Sequence, residues 1–438
     1  MTRDWQLLIA HCKSTFMTSP IFQKTVLSNG VRVLSESHPH AHSQTIGVWV
    51  EAGTVFENAR QAGLAHMLEH MVFKGTEALS ATQIANLVDD IGGQMNAFTD
   101  REFVCFHIKV LSDKASVAVE LLCDLITCPL LKETDLELEK GVIVEEIHGM
   151  EDAPEDLVEE AFQQNLWPRS RWSSCILGNA NSVQSASSSQ LRDFMKTHYT
   201  PRRIIVAASG NVDHAQLTTQ VEKLLGHLRE PKNAPRASLP AVPKNRSGNA
   251  YLERDIEQVH LCFGSPAFGC NDSRRFATWI LETVLTGGFS SRLFQELREK
   301  QGLCYGIGAF SSSYRKGGFW SIETSTAPAA APKLAKLIGK ELRRLKKTGI
   351  TKAEWRRAVN MLRTNILLCD ENPSSRMSRI ARQELCHGRQ FSSAEIINKL
   401  ESTTQEEVHE LSRELFDATK MNLAMVGPKL KAPLEIEV

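Results

Sequence analysis

Two histidines and a glutamate in the segment HMLEH, residues 66–70, have the types and the spacing to bind a metal ion. On a helix, which turns about 100° per residue, His66, Glu69 and His70 share one narrow sector. The opposite face is apolar and comprises Leu64, Met67, Leu68 and Met71. Histidines at i and i+4 can both direct a nitrogen at one ion, and a carboxylate one turn away can reach a water on it. The alternative is a solvated polar face of an amphipathic helix, because tetrahedral zinc needs further ligands.

A second candidate helix carries two carboxylates on its apolar side. In LELEKGVIVEEIHGM, Glu139 and Glu146 are seven residues apart and therefore point the same way. Their sector also contains Leu136, Val142, Ile143, Ile147 and Met150. A buried carboxylate without a partner is costly, so both are predicted to face a cation. That cation is either an Arg or Lys in a structural ion pair or a zinc ion shared with His66 and His70, and zinc explains both helices.

The pairing of HMLEHMVFKGT with VIVEEI resembles the inverted zinc motif HxxEH of the pitrilysin, or insulinase, family of metallopeptidases. In that family the third ligand is a glutamate 76 positions after the second histidine, which is the separation of Glu146 from His70. The resemblance implies one Zn²⁺ per chain, held by His66, His70 and Glu146. It also implies that Glu69 is the general base on a zinc-bound water and that Glu139, one helical repeat before Glu146, supports one of the ligands without binding the ion itself.

Two further segments match the family. In GGQMNAFTDRE, residues 92–102, the resemblance implies that Asn96, Ala97 and Phe98 belong to a strand that binds the substrate backbone. Taken alone, this motif is more often an ordinary hairpin strand. In LREKQGLCYGIGA, Arg298 and Tyr305 have the family's Arg/Tyr spacing and are implied to hold the substrate carbonyl and stabilise the oxyanion. Taken alone, Arg298 would be a surface helix residue and Tyr305 a residue of a strand core.

The chain contains an internal repeat. Its 438 residues are about three times the usual domain length, and residues 230–248 are rich in Pro, Lys and small polar residues, as linkers are. LAHMLEHMVFKGT at 64–76 can be laid on FATWILETVLTGG at 276–288. We therefore predict a zinc-binding catalytic domain at 1–230, a linker at 231–248 and a homologous domain at 249–438 that carries the Arg/Tyr pair. In place of the zinc motif the second copy has Thr278, Leu281 and Glu282, so it is not expected to bind zinc.

The periodicity of the first half alternates between strands and helices. Val31–Glu36 and Thr45–Glu51 alternate like strands, and residues 80–91 have helical spacing with Ser80 and Gln83 as a capping box. Residues 94–110 then predict two strands, and 112–127 and 132–151 predict helices. The expected fold is α+β, with two homologous α/β domains of the processing-peptidase type, each a mainly antiparallel sheet covered by helices on one face.

Composition excludes several classes of protein. Lys+Arg and Asp+Glu are both 51, which argues against a general attraction to nucleic acid or acidic membranes, and no apolar run approaches the ~18 residues of a membrane span. The 10 cysteines include no CxxC pair and are predicted to be free thiols in a reducing compartment. The N-terminal WQLLIAHC is too short and poorly flanked for a signal peptide, and Met17 is an alternative start. We expect a bacterial cytoplasmic protein, with the mitochondrial matrix as the alternative.

The predicted function is a zinc-dependent endopeptidase that hydrolyses extended or unfolded peptides. The resemblance implies a homodimer with a chamber between the domains. One alternative is a non-catalytic scaffold or partner subunit of a processing-peptidase-like complex, although the intact HxxEH argues against it. Another is a dedicated peptide-maturation protease. Residues 176–191 contain no carboxylate, so a preference for arginine near the cleaved bond is not expected.

Overall fold

The computed structural model describes residues 21–231, 238–244 and 247–438. The N-terminal segment WQLLIAHC, the alternative start Met17 and part of the predicted linker lie outside the described residues. Within these ranges, none of the helices combines the length and the hydrophobicity of a membrane span.

The first half of the chain forms a sheet whose far edge borders the HxxEH helix. Its strands are β1 (Ile21–Val26), β2 (Arg32–Ser37), β3 (Ser43–Val50), β4 (Gln94–Thr99), β5 (Val104–Leu111) and β6 (Ile204–Gly210). The strand order is β1-β2-β6-β3-β5-β4, which leaves β4 at an edge. The β2–β6 pair is parallel and the other pairs are antiparallel.

The second half forms a sheet of the same topology. Its strands are β7 (Gly248–Glu253), β8 (Val259–Ala267), β9 (Ile307–Ser313), β10 (Gly318–Thr326) and β11 (Asn422–Gly427). The order is β7-β11-β8-β10-β9, and β7–β11 is again a parallel pair among antiparallel ones. With β1 set aside, β2-β6-β3-β5-β4 and β7-β11-β8-β10-β9 correspond strand for strand. The predicted internal repeat and the mainly antiparallel sheets are confirmed.

Helices connect the strands in both halves. The first half contains α1 (Leu64–Val72), α2 (Ala81–Asp90), α3 (Ala115–Thr127), α4 (Glu133–Glu151), α5 (Pro154–Leu166), α6 (Ala180–Gln184), α7 (Ser188–His198) and α8 (His214–Leu225). The second half contains α9 (Arg275–Thr286), α10 (Ala331–Thr348), α11 (Lys352–Cys369), α12 (Pro373–His387), α13 (Ser393–Ser402) and α14 (Gln405–Leu415), with a π-helical segment at Phe294–Glu299. The capping box of Ser80 and Gln83 is present at the start of α2, as predicted.

Helices of each half cover one face of its own sheet, as expected. The second face of each sheet is covered by a helix from the other half, which was not predicted. Helix α12 packs Met377 and Ile380 against the first sheet, where Trp49 is fully buried. Helix α5 packs Phe162 against Phe319 of the second sheet. The reason is that β6 and β11 are buried along their whole length, so both faces of each sheet need an apolar cover.

Buried ion pairs also cross between the halves. Arg315, in the turn between β9 and β10, places Nη1 2.7 Å from Glu51 Oε2 and Nε 3.0 Å from Glu102 Oε1. On α12, Arg376 Nη1 lies 2.6 Å from Glu36 Oε1. Because these groups have little contact with water, removal of one partner would leave a buried charge unpaired. The two sheets are therefore joined by polar as well as apolar contacts.

Candidate metal centre

Packing outside the candidate site fixes where helix α1 begins. Gly63, directly before the helix, has a φ of 88°, and a Cβ there would lie 2.8 Å from the Leu177 carbonyl oxygen. The buried Glu57 carboxylate accepts hydrogen bonds from the backbone N–H groups of Gly63, at 3.0 Å, and Ala65, at 2.7 Å. These N–H groups have no partner within the helix, and the Glu57 carboxyl group supplies one. The orientation of His66 therefore depends on Glu57.

The structure brings His66, His70 and Glu146 together. One potential ligand atom from each lies within 4.8 Å of the other two. Glu146 Oε2 on α4 is 3.6 Å from His66 Nε2 and 3.5 Å from His70 Nε2 on α1. Atoms bound at about 2.0–2.1 Å to a tetrahedral zinc ion lie roughly 3.4 Å apart. These spacings fit the ligand set that the resemblance implies.

Glu139 orients the His70 ring by contacting the ring nitrogen that does not face Glu146. Its Oε2 lies 3.1 Å from His70 Nδ1, so a hydrogen bond there leaves Nε2 free to face Glu146. Its other oxygen, Oε1, is 2.6 Å from Lys74 Nζ. Glu139 is buried, as predicted, and its position matches the supporting role that the resemblance implies.

The prediction that Glu146 is buried is wrong. Its side chain is 40% exposed, and Val142, one turn earlier, is 45% exposed. Helix α4 packs against α1, α5 and α6 and leaves this sector open to solvent. The opening suits a functional site, because a substrate can approach the third ligand.

The protonation state of His66 fits metal binding. Burial, followed by the charge of His70, lowers the His66 pKa to about 4, so the ring is neutral near pH 7. Metal ligation requires the neutral imidazole. His66 Nδ1 is buried and has no hydrogen-bond partner in the described part of the chain, whereas Nε2 points to Glu146. The residues present therefore fit a zinc ion with three protein ligands and an open fourth position.

Glu69 lies beside the cluster in a position suited to proton transfer. Burial raises its pKa, a hydrogen bond from Thr99 and the charge of His70 oppose the rise, and Glu146 adds to it. The Thr99 hydroxyl donates to Glu69 Oε2 at 2.5 Å. A carboxylate of raised pKa is a better proton acceptor, which is what a general base needs.

The strand beside the cluster brings in some of the predicted substrate-binding residues. Ala97 packs on the α1 side of β4, and Asn96 Oδ1 accepts the Ala97 N–H at 2.8 Å. Phe98 points to the other face of the sheet, where its ring centroid is 5.5 Å from that of Trp49. Side chains alternate along a strand, so neighbours cannot all face α1. The structure does not bring the Phe98 side chain to the cluster.

A cavity of about 320 Å³ opens beside Glu69. It is lined by Glu69, His70, Phe73, Lys74, Met95, Asn96, Ala97 and Glu139. The walls combine apolar surface with the Lys74 ammonium group and the β4 edge. The cavity is large enough for one amino-acid side chain of a bound peptide.

Arg298 and Tyr305 lie together but apart from the cluster. The Arg298 guanidinium carbon is 5.3 Å from the centroid of the Tyr305 ring. Tyr305 precedes β9 and is 86% exposed, so its interpretation as a strand core residue is wrong. Among the described residues, neither side chain forms a hydrogen bond or ion pair with His66, His70 or Glu146.

The equivalent helix of the second half has no comparable cluster. Within the described ranges, the group on α1 and α4 is the only set of His, Cys, Asp or Glu residues that could hold a metal ion. On α9, Thr278 Oγ1 donates to a carbonyl of its own helix, and burial raises the Glu282 pKa to about 7. That the second copy does not bind zinc stays a prediction.

Sequence reasoning missed three supporting residues. Lys74 follows His70 by four residues, so helical spacing could have placed it on the same face. Thr99 follows Ala97 by two residues, so strand alternation could have placed it on the α1 side. Glu57 lies in a loop, and only the tertiary structure shows that it caps α1.

We expect Glu57→Gln to change how stability depends on pH. Burial raises the Glu57 pKa from 4.5 to about 8, so the folded chain holds a proton that the unfolded chain releases in that interval. The free energy of unfolding should therefore fall as pH rises from 4.5 towards 8, by at most about 5 kcal/mol from this group. Denaturant titrations of both proteins between these pH values measure the difference. Parallel curves would contradict the assignment.

Comparison with known families gives two matches that together span most of the chain. Residues 32–179 match the family described as Insulinase (Peptidase family M16). Residues 185–362 match the family described as Peptidase M16 inactive domain. The first match contains the metal cluster and the second contains Arg298 and Tyr305.

Full-length relatives occur in several bacteria. The chain is 34% identical to the uncharacterized zinc protease YmxG of Bacillus subtilis, over 94% of this chain and 100% of the relative. It is 34% identical to an uncharacterized zinc protease of Streptomyces coelicolor, over 93% of this chain and 89% of the relative. A Mycobacterium tuberculosis relative with the same description is 35% identical over 93% of each chain.

Solved structures share the fold. A protease from Helicobacter pylori superposes with a TM-score of 0.87 at 21% identity, covering 93% of this chain and 100% of its own. A peptidase M16 inactive domain from Pseudomonas fluorescens gives a TM-score of 0.86 at 19% identity, with 94% and 100% coverage. The α+β architecture of two sheets covered by helices is thus common to all three.

Proposed function

The chain belongs to the insulinase family, peptidase family M16, and on this premise we propose that it is a zinc-dependent endopeptidase acting on extended or unfolded peptides. The observation that carries the proposal is the cluster of His66, His70 and Glu146, whose ligand atoms lie within 4.8 Å of one another beside Glu69. The zinc protease names of the bacterial relatives support the same reaction class.

The residues around the cluster have distinct parts in the proposed mechanism. Zinc, when bound by His66, His70 and Glu146, supplies Lewis acidity that lowers the pKa of a water and polarises a carbonyl. Glu69 takes the proton from the attacking water and gives it to the leaving amine. Thr99 holds the Glu69 carboxylate in one orientation through its hydrogen bond.

The β4 edge favours an extended peptide as substrate. An edge strand has unpaired main-chain groups that can add another strand. The Ala97 N–H donates a hydrogen bond to Asn96 Oδ1. A substrate carbonyl that accepts from this N–H must therefore displace the Asn96 oxygen. A chain that is already folded cannot present its backbone in this way, whereas an unfolded peptide can. The cavity beside Glu69 would then receive one substrate side chain.

We propose that Arg298 and Tyr305 bind the scissile carbonyl of a peptide that lies at the metal centre of a second copy of the chain. Tyr305 is almost fully exposed, and in this chain neither residue contacts the cluster. A homodimer in which the metal-bearing half of one chain faces the Arg/Tyr half of the other would enclose a chamber and place both sets on the same peptide. The Tyr305 hydroxyl would then stabilise the oxyanion.

Two other roles remain as alternatives. The description of the second family match as an inactive domain keeps open a scaffold or partner-subunit role. A dedicated peptide-maturation protease would use the same cluster on one substrate. The bacterial sources of the named relatives support a bacterial protein, for which the cytoplasm is the proposed location.

The proposal is tested with an unbiased library of unfolded peptides and the zinc-loaded protein. We expect cleavage at internal bonds, loss of cleavage with a chelator and recovery when zinc is added back. A folded protein of the same composition as the peptides should resist cleavage. If the zinc-loaded protein cleaves no peptide, the scaffold alternative gains support and the endopeptidase proposal fails.

We expect Tyr305→Phe to lower kcat by about 100-fold and to leave KM nearly unchanged, because a donor to the oxyanion acts mainly in the transition state. Steady-state kinetics on one cleaved peptide measure both constants. Tyr251→Phe, on β7 and also partly exposed, is the matched control. A change confined to KM would mean that Tyr305 only binds substrate.

A further inference from the structure

Two cysteines outside the metal centre lie on segments that are hydrogen-bonded to each other where the second sheet meets α12, and we propose that Cys270 and Cys386 form a reversible disulfide when a peroxide-class oxidant is present. Both are free thiols in this structure. The inference is independent of the peptidase proposal, because neither residue belongs to the metal centre.

Hydrogen bonds hold the two segments in contact. Cys270 lies in the turn after β8, and its N–H donates to the Tyr314 carbonyl at 2.8 Å. Its neighbour Asn271 donates from Nδ2 to the Cys386 carbonyl at 2.8 Å, and Asn271 Oδ1 lies 2.5 Å from Nδ1 of His387. Asn271 is thus hydrogen-bonded to both Cys386 and His387. These bonds keep the backbones of Cys270 and Cys386 close together, as a disulfide requires.

The two thiols also influence each other's ionisation. Interaction with the Cys386 thiol lowers the Cys270 pKa, although burial opposes this, and the same interaction raises the Cys386 pKa. The positive charges of Arg315 and Arg275 also lower the Cys270 pKa. A thiolate is the reactive form of cysteine, so Cys270 is the expected nucleophile and Cys386 the resolving thiol.

Other cysteines lack this combination. Burial raises the pKa of Cys105 and Cys262 well above the ordinary value for a thiol, and it raises that of Cys123 to about 12. Cys369 is exposed, but no second thiol hydrogen-bonds to it among the described residues. Only the Cys270 and Cys386 pair therefore unites a lowered pKa with a resolving thiol in the described part of the chain.

The chemistry balances with hydrogen peroxide. The Cys270 thiolate attacks one peroxide oxygen, the O–O bond breaks, and the departing hydroxide takes a proton to form water. Cys386 then loses its proton and attacks the resulting Cys270 sulfenic acid, forming the S–S bond and releasing a second hydroxide that becomes water. The two cysteines lose two electrons and the peroxide gains them.

Both cysteines belong to the second half of the chain, so the disulfide would fasten α12 to the second sheet. Cys386 lies near the end of α12, which covers the first sheet, and Cys270 lies in a turn of the second sheet. Glu102 and Arg315, which form an ion pair between the halves, act electrostatically on both thiols. Oxidation would therefore add a covalent link where contacts between the halves already meet.

The test is peptide mapping of the full chain after limited exposure to hydrogen peroxide, with free thiols blocked in denaturant before digestion. We expect a peptide pair joined through Cys270 and Cys386, loss of labelling at both, and recovery with dithiothreitol. Cys105 and Cys262 should stay labelled. Cys386→Ser should abolish the joined peptide, and Cys369→Ser is the matched control that should retain it.

The thermal unfolding midpoint of the oxidised wild type should exceed that of the reduced protein, and oxidised Cys386→Ser should show no such rise. If Cys270 and Cys386 remain labelled in the wild type, or if either cysteine is joined to a different one, the proposal is overturned. The wild-type map gives this answer even if a variant fails to fold.

Discussion

Glu69→Gln is expected to lower kcat/KM by about 1,000-fold and to leave zinc binding intact. Glutamine has nearly the same shape as glutamate and can still accept the Thr99 hydrogen bond, but it cannot take a proton from water. The metal ligands are on other residues, so the zinc content should stay at the wild-type value. Peptide hydrolysis and zinc stoichiometry measured on the same preparation test both parts.

Glu145→Gln is the matched control for this substitution, because Glu145 is an exposed carboxylate on α4 with 81% of its side chain accessible. Its activity should equal that of the wild type. Hydrolysis by zinc-loaded Glu69→Gln at the wild-type rate would show that another group acts as the base.

Glu146→Gln is expected to weaken zinc binding by more than the 10- to 100-fold that loss of an outer-shell partner typically causes. The carboxylate faces both histidines through one oxygen, and an amide is a poorer ligand without charge. Zinc stoichiometry after dialysis against a weak chelator measures the effect. Activity should fall in parallel with the zinc content.

Glu139→Gln is the comparison variant, for which a smaller loss of zinc affinity is expected than for Glu146→Gln. Glu139 contacts His70 and Lys74 but is not one of the three clustered ligand residues, so its loss should weaken zinc binding by about 10- to 100-fold and no more. If Glu146→Gln kept full zinc while Glu139→Gln lost it, the third ligand would have to be reassigned to Glu139.

The cluster was predicted from a local pattern together with a family resemblance. The i, i+4 spacing of His66 and His70 is a property of one helix, and the link to Glu146 came from a family spacing. The exposure of Glu146 could not be predicted in this way, because it depends on which neighbours pack against the middle of α4. A helical sector that mixes apolar and acidic residues can line an opening as well as a core.

Strand residues were harder to assign than helix residues. The motif that contains Asn96, Ala97 and Phe98 placed β4 beside the cluster, but alternation sends Phe98 to the face under α12. The same limit affected the covering of the sheets. The fully buried run of β6 could have indicated two covered faces, but nothing local shows that the second cover comes from residues about 170 positions later in the chain.

The exchange of helices between the halves has a consequence for synthesis of the chain on the ribosome. The last strand of the first sheet ends at Gly210, but its cover, α12, is complete only at His387. At about 5–20 residues per second, that interval lasts roughly 9–35 s. During this time Trp49 and Ile205 form part of an uncovered apolar surface. The nascent first half is therefore a natural client for chaperones, and a gene cut between the halves would need both fragments made together.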